Sequence, residues 1–87
     1  MPDRSIQLDV FPTEVQMQRV DPSCNMRRFY RLSVQRDLFG GASLLREWGR
    51  IGFRGQMMRE PHVDEGTAIT ALMKLAAQKT RRGYATT

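Results

Sequence analysis

Trp48 is the sole tryptophan of the chain, and it stands in the run Glu47-Trp48-Gly49-Arg50-Ile51, with Arg46 just before it. Indole rings stack on sugars and bases, and the planar guanidinium fork grips phosphate oxygens through paired hydrogen bonds. Alternate residues of a strand share a face. Read as a strand, this stretch sets Arg46, Trp48 and Arg50 on one side. The result is a flat ring flanked by two permanent cations, suited to stacking and to holding anions. Gly49 is different in kind, because a strand glycine lets another backbone or side chain approach closely. Arg27, Arg28 and Arg31, with Arg54 in the turn Gly52-Phe53-Arg54-Gly55, can extend a basic surface. Gly49 and Arg54 join Trp48, Arg50 and Arg46 as candidate nucleic-acid-binding residues.

Each of these residues also has a plainer role. An aromatic residue in a strand of a small protein often belongs to the core. Arg50 can pair with Glu47 or Glu60 in a surface ion pair worth ~0–1 kcal/mol. Packing Trp48 wholly inside would, however, bury Arg46 and Arg50 on the same face. That cost weighs against the core reading, which the residue type alone slightly favours.

Other chemistries find little support. His62 and Cys24 are the only residues of their types, and a metal site needs several ligands. No serine lies in a nucleophile-elbow pattern. The carboxylates form no recognisable acid–base pair, and neither glycine cluster opens a helix as a phosphate-binding loop does. The expectation is a non-enzyme with no cofactor and no metal. No stretch approaches the ~20 apolar residues that a membrane span requires. Asp3 and Asp9 interrupt any leader-like apolar run at the N-terminus, so a cytoplasmic location is expected.

The elements that must position Trp48 read as strands followed by one helix. Ile6, Leu8 and Val10 alternate with polar residues, interrupted by Pro12. Glu14 to Val20 continues in the same style, and Asp21-Pro22-Ser23-Cys24-Asn25 is rich in turn formers. Arg28 to Arg36 is the clearest strand, with Tyr30, Leu32 and Val34 in phase for the core. Gly40-Gly41 marks a reversal before Leu44 to Ile51, and a short strand from Gln56 to Glu60 ends at Pro61. Asp64 then suits a helix N-cap. Ile69, Leu72, Met73 and Ala76 recur at helical spacing, Lys79, Arg81 and Arg82 crowd the last turn, and Gly83 fits the position after the cap. The last three residues read as frayed. The fold class expected is α+β: a single antiparallel sheet of four to five strands with one C-terminal helix packed on one face. The other face is left to solvent or a partner. Residues 1–87 read as one small domain.

The charge balance points the same way as Trp48. The net charge is +5, and twelve of the fourteen basic residues are arginine, which suits bidentate contact with phosphate. A GC-rich genome accounts for much of the arginine bias, but the positive balance remains and favours an anionic partner.

The ordered set of residues resembles the WGR domain, a module named for its Trp-Gly-Arg motif. The resemblance is carried by Arg19-Val20-Asp21-Pro22, Asn25, Arg28 to Leu32, Glu47 to Gly52, Gly55-Gln56 and Lys79 to Tyr84. It covers roughly residues 14 to 84. It implies an antiparallel sheet with one helix. In DNA-dependent poly(ADP-ribose) polymerases, such a domain sits at a DNA strand break, with its Trp on a terminal sugar and basic residues on the backbone. Carried over, Trp48 is the stacking residue and Arg50 its electrostatic partner. The catalytic domain and zinc fingers of those enzymes have no counterpart here, so ADP-ribosylation does not transfer. DNA is the partner the resemblance implies, with RNA open. The alternative is a protein-interaction module for an acidic partner protein.

Overall fold

The computed structural model describes residues 13–87. The alternating segment Ile6 to Val10 lies outside the described residues. Five strands form one antiparallel sheet: β1 (Glu14–Asp21), β2 (Met26–Arg36), β3 (Ala42–Arg50), β4 (Gln56–His62) and β5 (Ala85–Thr86). Their spatial order is β4-β3-β2-β1-β5. One helix, α1 (Glu65–Arg81), lies between β4 and β5 in the chain and covers one sheet face. The expected fold class is borne out.

The turns follow from their residues. Asp21 caps the short turn Pro22–Cys24 by accepting from the Ser23 backbone and hydroxyl, at 3.2 and 2.7 Å. Asn25 closes that turn at φ 52°, a left-handed conformation that asparagine tolerates. Asp37 accepts from the backbone N–H of Phe39 and Gly41, which fixes the β2–β3 reversal. β4 runs on through Pro61 to His62, beyond the expected stop. β4 is an edge strand, where a missing N–H can face solvent without breaking the ladder.

The helix starts and stops where its signals stand. Asp64 accepts from the Thr67 backbone N–H at 2.8 Å, the expected N-cap. At the other end, Gly83 takes φ +98°. Its N–H bonds the Thr80 carbonyl and the Tyr84 N–H bonds the Lys79 carbonyl, both at 3.0 Å. These two bonds constitute a Schellman motif. The motif turns the chain back towards β1, and this corrects the expectation of a frayed terminus. Ala85 and Thr86 pair with Gln18 and Met17, and the Thr87 N–H bonds the Gln16 carbonyl. The physical reason is the free edge of β1, whose unpaired N–H and C=O groups accept a short fifth strand.

The core lies between α1 and the sheet. Met17, Tyr30, Leu32, Leu44 and Leu72 are buried, with Val15, Val34, Trp48, Leu75 and Tyr84 packed around them. Cross-strand register arranges the covered face in rows. Val34, Leu44 and Glu60 form one row, and Val15, Leu32, Arg46 and Met58 the next. Met17, Tyr30, Trp48 and Gln56 follow. Arg19, Arg28 and Arg50 form the last row.

Candidate nucleic-acid interface

The rows place Arg46, Trp48 and Arg50 on one face, as their spacing predicts. That face is the one the helix covers, since Trp48 stands opposite buried Tyr30. Trp48 nevertheless stays half-buried and not sealed in, because it lies near the C-terminal end of α1. Beyond that end a depression of about 720 Å³ opens, lined by Trp48, Tyr30, Tyr84, Arg46, Lys79 and Arg28, among others. Arg50, Asn25 and the backbone of Gly49 complete its wall.

The aromatic floor is built in layers. The indole of Trp48 lies nearly parallel to the Tyr30 ring, with centroids 5.9 Å apart and planes 15° apart. Tyr84 meets Tyr30 edge-on at 6.1 Å. The Arg46 guanidinium carbon is 5.9 Å from the Trp48 ring centroid, and its Nε and Nη2 both donate to the Tyr30 hydroxyl. The buried tyrosine thus has its hydroxyl satisfied, and Arg46 is held against the indole.

The rim is cationic, and no ion pair among the described residues neutralises it. Arg19, Arg28 and Arg50 stand directly opposite one another across β1, β2 and β3. Ion pairs among the described residues join Arg31 to Glu47, Arg36 to Glu65 and His62 to Glu60, and none includes this row. Arg50 reaches back to the Asn25 carbonyl at 3.4 Å. Like charges directly opposite on a sheet are destabilising. A polyanion on the rim would relieve that repulsion.

Lys79, which by sequence stands among the helix-end charges, also lines the depression. It continues the stripe of Leu72, Leu75 and Ala76, so its stem follows the core-facing side of α1. Its ammonium lies 4.3 Å from the Tyr30 ring centroid and 5.8 Å from that of Tyr84. Burial holds its pKa below the ordinary lysine value, and the neighbouring Arg82 and Arg46 push it the same way. The signal in the sequence was its spacing of seven from Leu72, a core position occupied by a cation. Tyr84 enters the depression only through the fold, and Arg28, one of the strand arginines expected to extend the basic surface, lines it too.

Two predicted residues behave differently. At Gly49, an added Cβ would sit 2.8 Å from the Gly55 Cα and 3.3 Å from the Phe29 ring. Its role is to let β3, the following turn and Phe29 meet on the reverse face. Arg54 is not brought to Trp48. It lines a separate depression of about 280 Å³ with Phe29, Arg31, Glu47 and Phe53. Gly49 and Gly55 lie between the two depressions.

The helix-covered antiparallel sheet thus carries one open, basic, aromatic depression past the helix end. The family model of the WGR domain matches residues 13–87, and the chain belongs to that family. An uncharacterized protein, y4dW, from Sinorhizobium fredii is 45% identical over 73 residues, 84% of this chain. Those residues are 36% of that relative, so the chain spans about a third of its length. No solved structure matches the chain. Among the described residues, no group of three or more potential metal ligands occurs, and no helix is long and apolar enough to cross a membrane.

Proposed function

We propose that this WGR domain binds DNA at ends or breaks, with Trp48 on the terminal nucleotide and arginines on the adjoining backbone. The observation that carries this reading is the row Arg19, Arg28 and Arg50 set beside an open, half-buried indole. A terminal sugar or base exposes a stacking surface that internal duplex hides. Affinity comes mainly from arginine–phosphate contacts, and preference for ends from Trp48. Arg46 and Lys79 add positive potential at the floor, where partial desolvation strengthens it. No catalysis is part of this reading.

The test is titration of the Trp48 fluorescence with blunt duplex, single strand and closed-circular DNA. Quenching by the linear duplex at concentrations where the closed circle gives none supports the reading. Trp48→Ala, which lacks the reporter and is read by anisotropy of labelled duplex, should cost ~1–3 kcal/mol, as one lost stack does. The logarithm of affinity should fall with log salt at ~0.9 per neutralised phosphate. Equal affinity of Trp48→Ala for blunt duplex, or salt-insensitive binding, would sink it.

A further inference from the structure

We propose that the β3–β4 turn carries a second nucleic-acid contact, on the reverse side of the sheet from Trp48. There Phe53 stacks one unpaired base, and Arg54 holds an adjoining phosphate. The proposal rests on the reading that the Trp48 depression takes a DNA end. It adds what kind of end: one bearing a short single-stranded tail.

Phe53 is 68% exposed in its turn. It stacks on no other ring among the described residues, where the aromatic pairs are those of Tyr30 with Trp48 and Tyr84. With Phe29, Ile51 and Arg54 it lines the reverse-side depression. Arg31 at that depression is engaged by Glu47 at 2.7 Å, while Arg54 is in no ion pair among the described residues. An open ring beside an unpaired guanidinium is the chemistry of single-strand binding.

The turn is also fixed. The Phe53 N–H bonds the Arg50 carbonyl at 3.0 Å, and the Ile51 N–H bonds the Arg27 carbonyl at 2.9 Å. Gly52 takes φ +89°, which the third position of a type II turn requires. Gly55 packs without a side chain under the Trp48 carbonyl and the Phe29 ring. Phe53 is therefore presented on a rigid support, which lowers the entropy lost on binding.

Spacing joins the two contacts. A β-turn keeps the Cα atoms of its first and fourth residues within ~7 Å, here Arg50 and Phe53. A tail that leaves a phosphate on Arg50 rounds this turn to meet Phe53 on the other side. Bases inside a duplex are stacked between neighbours and offer Phe53 no face. An unpaired tail does.

The experiment uses the full chain and anisotropy of a fluorescein-labelled blunt duplex, compared with the same duplex carrying a short thymidine tail. The native protein should bind the tailed duplex more tightly. Phe53→Ala should lose about five- to 150-fold in affinity for the tailed duplex, the range of one base–aromatic stack, and little for the blunt one. Arg54→Ala should lose less, again only with the tail, and Phe53→Tyr should retain the preference. Circular dichroism checks that the variants are folded. No gain from the tail, or equal loss by Phe53→Ala on both duplexes, overturns the second contact. The Trp48→Ala protein separates the two ideas. If it binds blunt duplex as well as the native protein does, the end-binding reading fails. If it loses blunt binding while the tail adds nothing to the native protein, only the Phe53 contact fails.

Discussion

The Tyr30 hydroxyl accepts two hydrogen bonds from Arg46, from Nε at 3.1 Å and from Nη2 at 3.0 Å. This pair joins the core to the candidate interface, because the same tyrosine ring lies under Trp48 and beneath the Lys79 ammonium. Tyr30→Phe keeps the ring and removes the acceptor. It should cost about 1–2 kcal/mol of stability and release Arg46 from the indole. Urea unfolding measures the first effect, and a changed Trp48 emission in the folded protein reports the second.

The arginine row implies a trade between stability and binding. Arg28→Gln removes the middle charge, flanked by Arg19 and Arg50. Stability should rise by ~0.2–1 kcal/mol, the scale of a cross-strand pair. Affinity for duplex DNA should fall, and the salt slope should shrink by ~0.9. A thermal melt and a salt titration on the same preparation check both signs.

Lys79 makes the interface sensitive to alkali. Its pKa in the folded protein is depressed by burial and by Arg82 and Arg46. The unfolded chain therefore binds the extra proton more readily than the folded one. Stability should rise with pH between the depressed value and the ordinary lysine value. Binding should move the other way, since a bound polyanion favours the charged ammonium. Affinity should weaken as pH climbs through the depressed value. In Lys79→Met both pH effects should be diminished, as read by anisotropy and melts across the alkaline range.

Gly55→Ala tests how the Trp-Gly-Arg strand is held. The new methyl would fall on the Trp48 carbonyl and on the Phe29 ring. The backbone cannot yield as a flexible side chain can, so the cost should be about 1–3 kcal/mol. Gly52→Ala meets no steric neighbour but is strained at φ +89°, and should also destabilise. Chemical denaturation of the two variants, with Trp48 as the probe, ranks them.

Much of the fold was legible because its signals are local. Asp64 caps the helix by its own side chain, and Gly83 ends it by accepting a positive φ that other residues resist. Gly40 and Gly52 mark the hairpin turns for the same reason. Alternation put Tyr30 and Leu32 in the core, where both are buried. The β4 boundary and β5 were missed because pairing overrode local composition. Pro61 is tolerated at an outer edge, and Ala85-Thr86 carries no strand pattern of its own.

By itself the sequence determined that Arg46, Trp48 and Arg50 share a face, because a strand's period of two leaves no other arrangement. It also determined the basic balance and the capped helix. Only the tertiary structure decided which face that is, how far α1 covers it, and that Lys79, Tyr84 and Arg28 gather around the indole while Arg54 turns to the reverse side. The physical reason is range. Strand phase and helix caps are set by neighbours in the chain, whereas the depression is assembled by cross-strand register and by where the helix runs out.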